Sequence, residues 1–225
     1  MTFYLGSSNL TSQPYFGSSL ISKIYKGASL IWEYLVGGDA YEATNSLDFQ
    51  PNDYLVRTPT VVGNRKTWTF SAWVKRTNLS FANGHIFESA VSPQYTGAYF
   101  NVSNQIEFRA YSGALIWRVV TNETVVDAQW HHLVCMYDST QATEADRIKV
   151  YLDGTAATYA SATYPALNAD SNINNTTAQY IGTQTGSSGS LEAYLADVHM
   201  IDGQALDATS FAESSAVYGW QPKEY

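Results

Sequence analysis

The chain has 225 residues, of which 45% are hydrophobic, and a formal net charge of -8. This length and composition supply one sizeable packed core, which excludes a disordered chain and a small disulfide-dependent domain. The acidic charge repels phosphate backbones and no basic run offsets it, so we expect no nucleic-acid partner. No stretch approaches the roughly 18 apolar residues that span a bilayer, so we expect no membrane insertion.

The single cysteine, Cys135, excludes an internal disulfide. It lies in the apolar run 133–136, which predicts a buried thiol. The first ten residues, MTFYLGSSNL, lack the basic and apolar regions of a secretory signal. We therefore expect synthesis in a cytoplasm, with export, if there is any, through lysis or a dedicated route.

Three copies of a short phrase, YLGSS at 4–8, YFGSS at 15–19 and YKGAS at 25–29, open the chain. The segments 20–25 and 28–32 read as two strands joined by a tight turn at Lys26 and Gly27. Isolated hairpins are marginally stable, so this module should gain stability by packing on another chain. We therefore predict an anchor or assembly module over residues 1–36. Its predicted contact residues are Leu20, Ile24, Leu30, Ile31 and Trp32.

A linker is predicted at 37–45, where Gly37 and Gly38 allow flexibility. Beyond it, short aromatic and β-branched runs alternate with turn residues. In the strongest predicted strand, 68–74, the side chains of Trp68, Phe70, Ala72 and Val74 share one face and Trp73 lies on the other. Both faces are predicted to be covered. Further strands are predicted at 85–89, 98–102, 105–111, 115–120, 130–137, 147–152, 179–181 and 191–201.

The many short strands predict an all-β protein: a two-sheet antiparallel jelly-roll sandwich over residues 46–212, preceded by the small amino-terminal β-hairpin module. Asp153-Gly154 directly follows a predicted strand and indicates a hairpin turn. Residues 213–225 are predicted to form a carboxy-terminal tail.

Several phrases occur in a recognisable order. TFSAWVK at 69–75 precedes QWHHLV at 129–134 and KVYLDG at 149–154, with SLDF at 46–49 and YIG at 180–182 outside them. This ordered set resembles the concanavalin A-like lectin/glucanase domains of the laminin-G-like and pentraxin-like kind. The resemblance covers roughly residues 40–212 and implies the same jelly-roll sandwich.

A second resemblance is carried by the end of the chain. LADVHMIDGQALD at 195–207, Phe211 and GWQPK at 219–223 are similar to a phrase in such domains of bacteriophage structural proteins. This resemblance implies a protein that is made in the host cytoplasm and displayed on the virion surface. Its expected partners are other capsid or tail proteins and further copies of itself, with threefold self-association as one arrangement.

The sequence does not predict catalysis. Glucanases with this fold place Glu-x-Asp-x-x-Glu on one strand, but the nearest match here is Glu144 and Asp146, with Lys149 in place of the second glutamate. This stretch reads as a solvated loop. His131 and His132 are adjacent on a predicted strand and point to opposite faces, so they cannot readily hold one ion together. We therefore predict that the protein is not an enzyme.

Calcium is the one cofactor that the family resemblance implies, because relatives hold it with loop carboxylates and carbonyls. No cofactor is otherwise required. The alternative interpretation is turn formation, since Asp153 and Asp202 each precede a glycine. The candidate ligands are Asp48, Asp138, Asp153, Asp197 and Asp202.

Saccharide binding is the second kind of site that the sequence allows. It needs aromatic planes that stack on sugar faces, and the chain has 17 tyrosines and 6 tryptophans. The candidates are Tyr95, Tyr99, Tyr111 and Trp117, because polar loops flank their segments. The alternative interpretation is that these rings pack within the sandwich or at an oligomer interface.

Three functions therefore stay open. The first is a structural protein of a phage virion, as a capsid decoration, head fibre or tail-associated protein. The second is a tail adhesin that binds a host surface glycan. The third is a polysaccharide-degrading glycanase, against which the absent acid motif argues.

Overall fold

The structure of the protein is a computed structural model. It describes the backbone of strands at 15–16, 19–20, 23–26 and 29–33, and residues 41, 43–80, 83–186, 188–215 and 218–225. The chain divides into two compact units, Met1–Tyr41 and Glu42–Tyr225.

The first unit contains short antiparallel pairs. Strand β1 (Tyr15–Phe16) pairs with β2 (Ser19–Leu20), and β3 (Lys23–Lys26) pairs with β4 (Ser29–Glu33). The second pair confirms the hairpin predicted from the sequence. The side chains expected to contact a partner lie outside the described residues, so that surface stays a prediction; they are Leu20, Ile24, Leu30, Ile31 and Trp32.

The second unit is built from strands with two short 3-10 turns at Glu144–Asp146 and Ala208–Ser210. No α-helix occurs within the described ranges. Their two 3-10 turns are far too short to cross a membrane. The strands are β5 Leu47–Phe49, β6 Leu55–Arg57, β7 Thr67–Arg76, β8 Gly84–Val91, β9 Gln94–Phe100, β10 Gln105–Ser112, β11 Leu115–Thr124, β12 His131–Asp138, β13 Ile148–Leu152, β14 Thr155–Ala156, β15 Tyr159–Thr163, β16 Gln179–Ile181, β17 Ala193–Asp202, β18 Ala212–Ser215 and β19 Gly219–Pro222.

Two antiparallel sheets form the body of this unit. Sheet I has seven strands in the order β15-β11-β10-β9-β8-β16-β6, and sheet II has six in the order β14-β13-β12-β7-β17-β5. Successive strands of the chain alternate between the sheets in places, so neighbours in a sheet are often distant in sequence. This arrangement confirms the predicted jelly-roll sandwich.

The hydrophobic core lies between the sheets, as the alternation in β7 predicts. Trp68, Phe70, Ala72 and Val74 all belong to one buried cluster. The ring of Trp68 stacks on Tyr137 with centroids 5.4 Å apart, and its Nε1 donates a hydrogen bond to Ser171 Oγ at 2.9 Å. The polar atom of this large core residue is therefore satisfied, which avoids the cost of burying it unpaired.

The end of the chain covers the opposite face of sheet II. Strands β18 and β19 form a hairpin whose Ala212 and Trp220 pack against Trp73. Both faces of β7 are thus covered, as predicted. Residues 213–225, which the sequence suggested as a tail, include all of this hairpin except Ala212 and belong to the same compact unit as the sandwich.

Candidate functional site

Sheet I presents a polar surface on the face that points away from the core, which we call the outer face. In β10, Ile106, Phe108 and Ala110 face the core, so Glu107 and Arg109 lie on the outer face. Such alternation is ordinary for an antiparallel strand, but here Glu107 and, on β8, Glu88 are buried, and burial of a charge is costly unless it is paired. The outer face is therefore where a functional site is expected.

An imidazole and a carboxylate form a buried pair on strand β8. The Nδ1 atom of His85 lies 2.8 Å from Glu88 Oε2, and the two side chains are almost fully buried. The ring of His85 stacks on Tyr99 of β9, with centroids 4.7 Å apart and planes 16° apart. Strand register fixes this arrangement, since His85 is opposite Tyr99 and Glu88 is opposite Gly97.

Tyr99 joins this pair to the charges on β10 and β11. The guanidinium of Arg109 lies over its ring, 4.7 Å from the centroid. Burial and a hydrogen bond with Glu107 raise the pKa of the Tyr99 phenol, which therefore keeps its proton at neutral pH. Glu107 Oε1 in turn lies 3.9 Å from Arg118 Nη1. We call His85, Glu88, Tyr99, Glu107, Arg109 and Arg118 the outer-face cluster.

Two atoms of this cluster are left without a hydrogen-bond partner. Glu88 Oε1 and Arg109 Nε are both buried, and neither bonds any group in the part of the chain that the structure describes. The register places them on either side of Gly97, since Gly97 is opposite both Glu88 and Arg109. A buried acceptor and a buried donor that stay unpaired each cost about 1 to 3 kcal/mol, and a polar group that reached both atoms would recover that cost.

The glycine between these atoms cannot carry a side chain. A Cβ at Gly97 would lie 2.1 Å from the carbonyl oxygen of Phe87 and 2.8 Å from Glu88 Oε2. Close contact between β8 and β9 therefore requires glycine here. The absence of a side chain lets the Glu88 carboxylate lie over the Gly97 backbone.

Three of the four aromatic residues predicted to bind a glycan lie on the outer face. Tyr95 and Tyr111 are opposite each other on β9 and β10, half-buried, with ring centroids 6.2 Å apart. Tyr99 follows on the same face and is mostly buried. The structure therefore brings Tyr95, Tyr99 and Tyr111 together on one surface.

The prediction for Trp117 is wrong. Its side chain is only 2% exposed and belongs to the hydrophobic core, where its ring packs edge-on against Phe108 with centroids 4.9 Å apart. The register accounts for this, since Trp117 is opposite the core residue Ala110. Packing within the sandwich, the alternative interpretation, applies to this residue.

The five predicted calcium ligands do not converge. The described residues hold no group of three or more His, Cys, Asp and Glu side chains suited to a metal ion. Asp48 accepts a hydrogen bond from the Gln50 side chain, and Asp197 lies 3.4 Å from His199 in a bulge of β17. The structure thus assembles no shared calcium site among the described residues.

The other three carboxylates have structural partners. Asp138 accepts bonds from Thr67, Thr140 and Gln141. Asp202 Oδ1 accepts from the Asn64 backbone at 2.7 Å and from the Asn174 side chain at 2.9 Å. Asp153 accepts from the His132 backbone at 2.8 Å and contacts His131 at 2.7 Å. Each carboxylate fastens a loop or turn to a strand, which fits the turn-forming alternative.

The adjacent histidines point apart, as predicted. His131 lies between two carboxylates, with Nε2 2.8 Å from Asp127 and Nδ1 2.7 Å from Asp153. His132 is buried on the other side of the strand, against Trp73 and Trp220. Likewise, Glu144 and Asp146 form an exposed 3-10 turn in which Asp146 pairs with Lys149 at 2.9 Å. Neither segment assembles a catalytic or metal site.

A groove opens at one side of the sandwich, between β6 at the end of sheet I and the last residues of β17 in sheet II, and Glu88 of the outer-face cluster is among its lining residues. Its volume is about 490 Å³. Phe87, Ile173, Ile181 and Met200 line it, and Arg57 and Asp202 lie among its polar residues. We call this feature the edge groove.

Comparison with known proteins agrees with the described architecture. The family model of the concanavalin A-like lectin/glucanases superfamily matches residues 49–210. No curated protein is significantly similar to the chain in sequence.

Several solved structures share the fold at low sequence identity. Domain 4 of AbnA, an extracellular arabinanase from Geobacillus stearothermophilus, is 14% identical, with a TM-score of 0.52 over 74% of this chain and 82% of that one. Mouse laminin α1 domains LG4-5 give 16% identity and a TM-score of 0.51, covering 73% of this chain and 43% of that one. The LG1-3 region of the laminin α2 chain is 10% identical, with a TM-score of 0.53 over 71% of this chain and 32% of that one.

The range matched by the family model contains the motifs at 69–75, 129–134 and 149–154. The chain belongs to the concanavalin A-like lectin/glucanase superfamily, through a laminin-G-like domain that occupies residues 49–210.

Proposed function

We propose that this protein is a non-catalytic, saccharide-binding protein of a virion surface, and that the sugar binds on the outer face of sheet I. One observation carries the saccharide part of the proposal. Glu88 Oε1, a buried acceptor, and Arg109 Nε, a buried donor, both lack partners and flank Gly97. A hydroxyl group donates one hydrogen bond and accepts others, so sugar hydroxyls suit both atoms.

The surrounding side chains suit a sugar ring as well. Tyr95 and Tyr111 offer half-buried rings on the same face, beside the polar cluster. Aromatic rings contact the apolar faces of sugars, while fixed polar groups select the hydroxyl pattern. The Tyr111 hydroxyl is held by the Gly113 carbonyl at 2.9 Å, which orients its ring before any ligand arrives.

The fold is compatible with this use. The arabinanase domain that shares it was solved in complex with arabinotriose. At 14% identity that likeness extends to the fold and not to individual residues, so the proposal rests on the outer-face cluster of this chain.

Catalysis is not part of the proposal. Hydrolysis of a glycosidic bond needs two carboxyl groups that flank it as acid and nucleophile or base. In the outer-face cluster, Glu88 Oε2 is held by His85 and Glu107 is engaged by Tyr99 and Arg118. These contacts favour a binding role for both carboxylates.

A glycan array followed by calorimetry tests the saccharide proposal. We expect binding by the native chain and at least a tenfold loss for Glu88→Ala and for Arg109→Ala, because each removes one of the two unpaired groups. Lys75→Ala, on sheet II, is the matched control and should bind normally. Equal binding by all four proteins would refute the site. Release of reducing sugar from the bound polysaccharide would instead support the glycanase alternative.

The virion part of the proposal is supported by the end of the chain and by its two compact units. The phrases at 195–207 and 219–223 resemble those of phage structural proteins, and residues 1–41 form a unit of their own that suits an anchor. Immunogold labelling of intact particles would test it. Label over the head would indicate a capsid decoration or head fibre, label on the tail would indicate an adhesin, and unlabelled particles would refute the virion role.

A further inference from the structure

Strand β6 leaves one edge of sheet I open. It pairs with β16 along one side, and no strand of the described residues pairs with its other side. All its residues are exposed: Leu55 is 49% and Val56 is 52% accessible, and Arg57 is exposed as well. An edge strand of this kind presents unpaired backbone groups that can pair with another strand.

Apolar side chains surround this open edge. The loop that follows β6 exposes Val61 by 77% and Val62 by 52%, and Met200 of β17 is 38% exposed beside the edge groove. The groove floor reaches Phe87 and Ile173, which belong to the hydrophobic core. Leu55, Val56, Val61 and Met200 all line this groove, and exposed apolar residues grouped beside an unpaired strand are typical of an interaction site.

We propose that a second copy of this chain covers this edge, with β6 of the two copies paired antiparallel about a twofold axis through Val56. In this register Leu55 of each copy is opposite Arg57 of the other, and Val56 is opposite its own counterpart. The seven strands of sheet I would continue into the seven of the other copy. A twofold interface of this kind uses the same surface on both copies and closes on itself.

Charge favours this occupant over an unrelated apolar segment. The register separates the two guanidinium groups of Arg57, because each lies against an aliphatic Leu55 and not against its counterpart. Asp53, two residues before β6, comes within diagonal reach of Arg57 in the other copy. No carboxylate among the described residues forms an ion pair with Arg57 within a single copy. In the paired arrangement, each Arg57 therefore gains the carboxylate of Asp53 from the other copy.

Sedimentation equilibrium of the full chain, with two substitutions at the symmetry axis, tests the proposal. Val56→Lys and Val56→Asp each place like charges directly opposite each other, so each variant should have half the mass of the native assembly. An equimolar mixture of the two should restore the native mass, because Lys then faces Asp across the axis. Val56 is half-exposed, so neither change should prevent folding, which a thermal melt can verify.

Val102→Lys is the control, since Val102 is 74% exposed in the turn between β9 and β10. It should leave the mass unchanged. Any association through the amino-terminal module persists in both Val56 variants, so the loss of mass in each variant and its return in the mixture report on β6 alone. A native mass retained by both Val56 variants would overturn the proposal, as would a mixture that stays at half mass.

Discussion

The indole Nε1 of Trp220 donates a hydrogen bond to Nδ1 of His132 at 3.1 Å, and this contact fixes the carboxy-terminal hairpin to sheet II. An indole can only donate, so Nδ1 must accept and the proton of the neutral imidazole lies on Nε2. That atom lies 2.9 Å from Ser71 Oγ and donates to it. His132 is thus held from both sides as a neutral ring.

Replacing Trp220 should loosen the hairpin. Trp220→Ala removes packing against Trp73 and leaves His132 Nδ1 without its donor. Because Trp220 is partly buried, we expect a loss of about 2 kcal/mol, below the ~3 to 5 kcal/mol of a fully buried tryptophan. Chemical denaturation measures this directly. Trp130→Ala, at a residue 39% exposed, should change stability far less; an equal effect of both would argue against the anchoring role.

Acid should destabilise the fold through His132. Burial lowers the pKa of His132 to about 4, below its ordinary value of 6.5. Between pH 4 and 6.5 the imidazole of His132 is therefore protonated in the unfolded chain but neutral in the folded one. The free energy of unfolding thus falls as pH drops from about 6.5 towards 4. The loss should be on the order of 3 kcal/mol. Melting curves over this range should show a slope that His132→Gln reduces, and an unchanged slope would exclude this histidine as the cause.

Alkali should act through the neighbouring histidine, with the opposite sign. Hydrogen bonds to Asp153, and then to Asp127, raise the pKa of His131 from 6.5 to about 9 despite partial burial. The folded state therefore favours the charged imidazole, and this contribution is complete below pH 6.5 and is lost as pH rises through about 9. The melting temperature should fall by a few degrees across this interval. His131→Gln should lower stability at neutral pH and flatten the alkaline slope; a variant that keeps the slope would contradict the assignment.

Close packing of β8 on β9 should make Gly97 intolerant of a side chain. Gly97→Ala would place Cβ 2.1 Å from the Phe87 carbonyl oxygen and 2.7 Å from Glu88 Cα, both of them backbone atoms. We expect a loss of about 3 kcal/mol or more, because neither strand can yield without distorting the sheet. Gly84→Ala is the matched control, since its Cβ would come no nearer than 3.4 Å to Leu191 Cδ1. Urea denaturation of both proteins should separate them clearly; similar midpoints would show that the sheet adapts.

The sandwich could be predicted from the sequence because the alternation of residues in β7 indicates which side chains face the core. Trp68, Phe70, Ala72 and Val74 alternate with polar residues except at Trp73, and the structure buries them between the sheets as expected. Turn residues such as Asp153-Gly154 also marked strand ends correctly, with Asp153 at a positive φ of 49°. These signals are local, so a single sequence contains them.

Most of the outer-face cluster could not be predicted, because bulges decide which side chains share a face. His85 and Glu88 are three residues apart and would face opposite sides of a regular strand, but a register shift between His85 and Phe87 turns both outward. Strand alternation alone does not reveal such shifts. Trp117, by contrast, follows simple alternation with the core residue Val119, and its burial could have been read from the strand pattern.

The carboxy-terminal hairpin was missed for a related reason. Its strands have four residues each, and their stability depends on a surface formed by residues far earlier in the chain. Nothing local in 212–222 distinguishes a packed hairpin from a polar tail. The contact between Trp220 and His132, 88 residues away, exists only once the sandwich has formed.

Strand β17 has a consequence for synthesis of the protein. It lies between β5 and β7 in sheet II, and Asp202 at its end binds Asn64, 138 residues earlier. On the ribosome, β5 and β7 therefore emerge long before β17, which pairs with both. Their apolar side chains stay exposed to solvent until β17 has been synthesised. Slower elongation at low temperature would not shorten the time for which these side chains are exposed. The yield of native protein should instead depend on keeping the unfinished chain from meeting other copies.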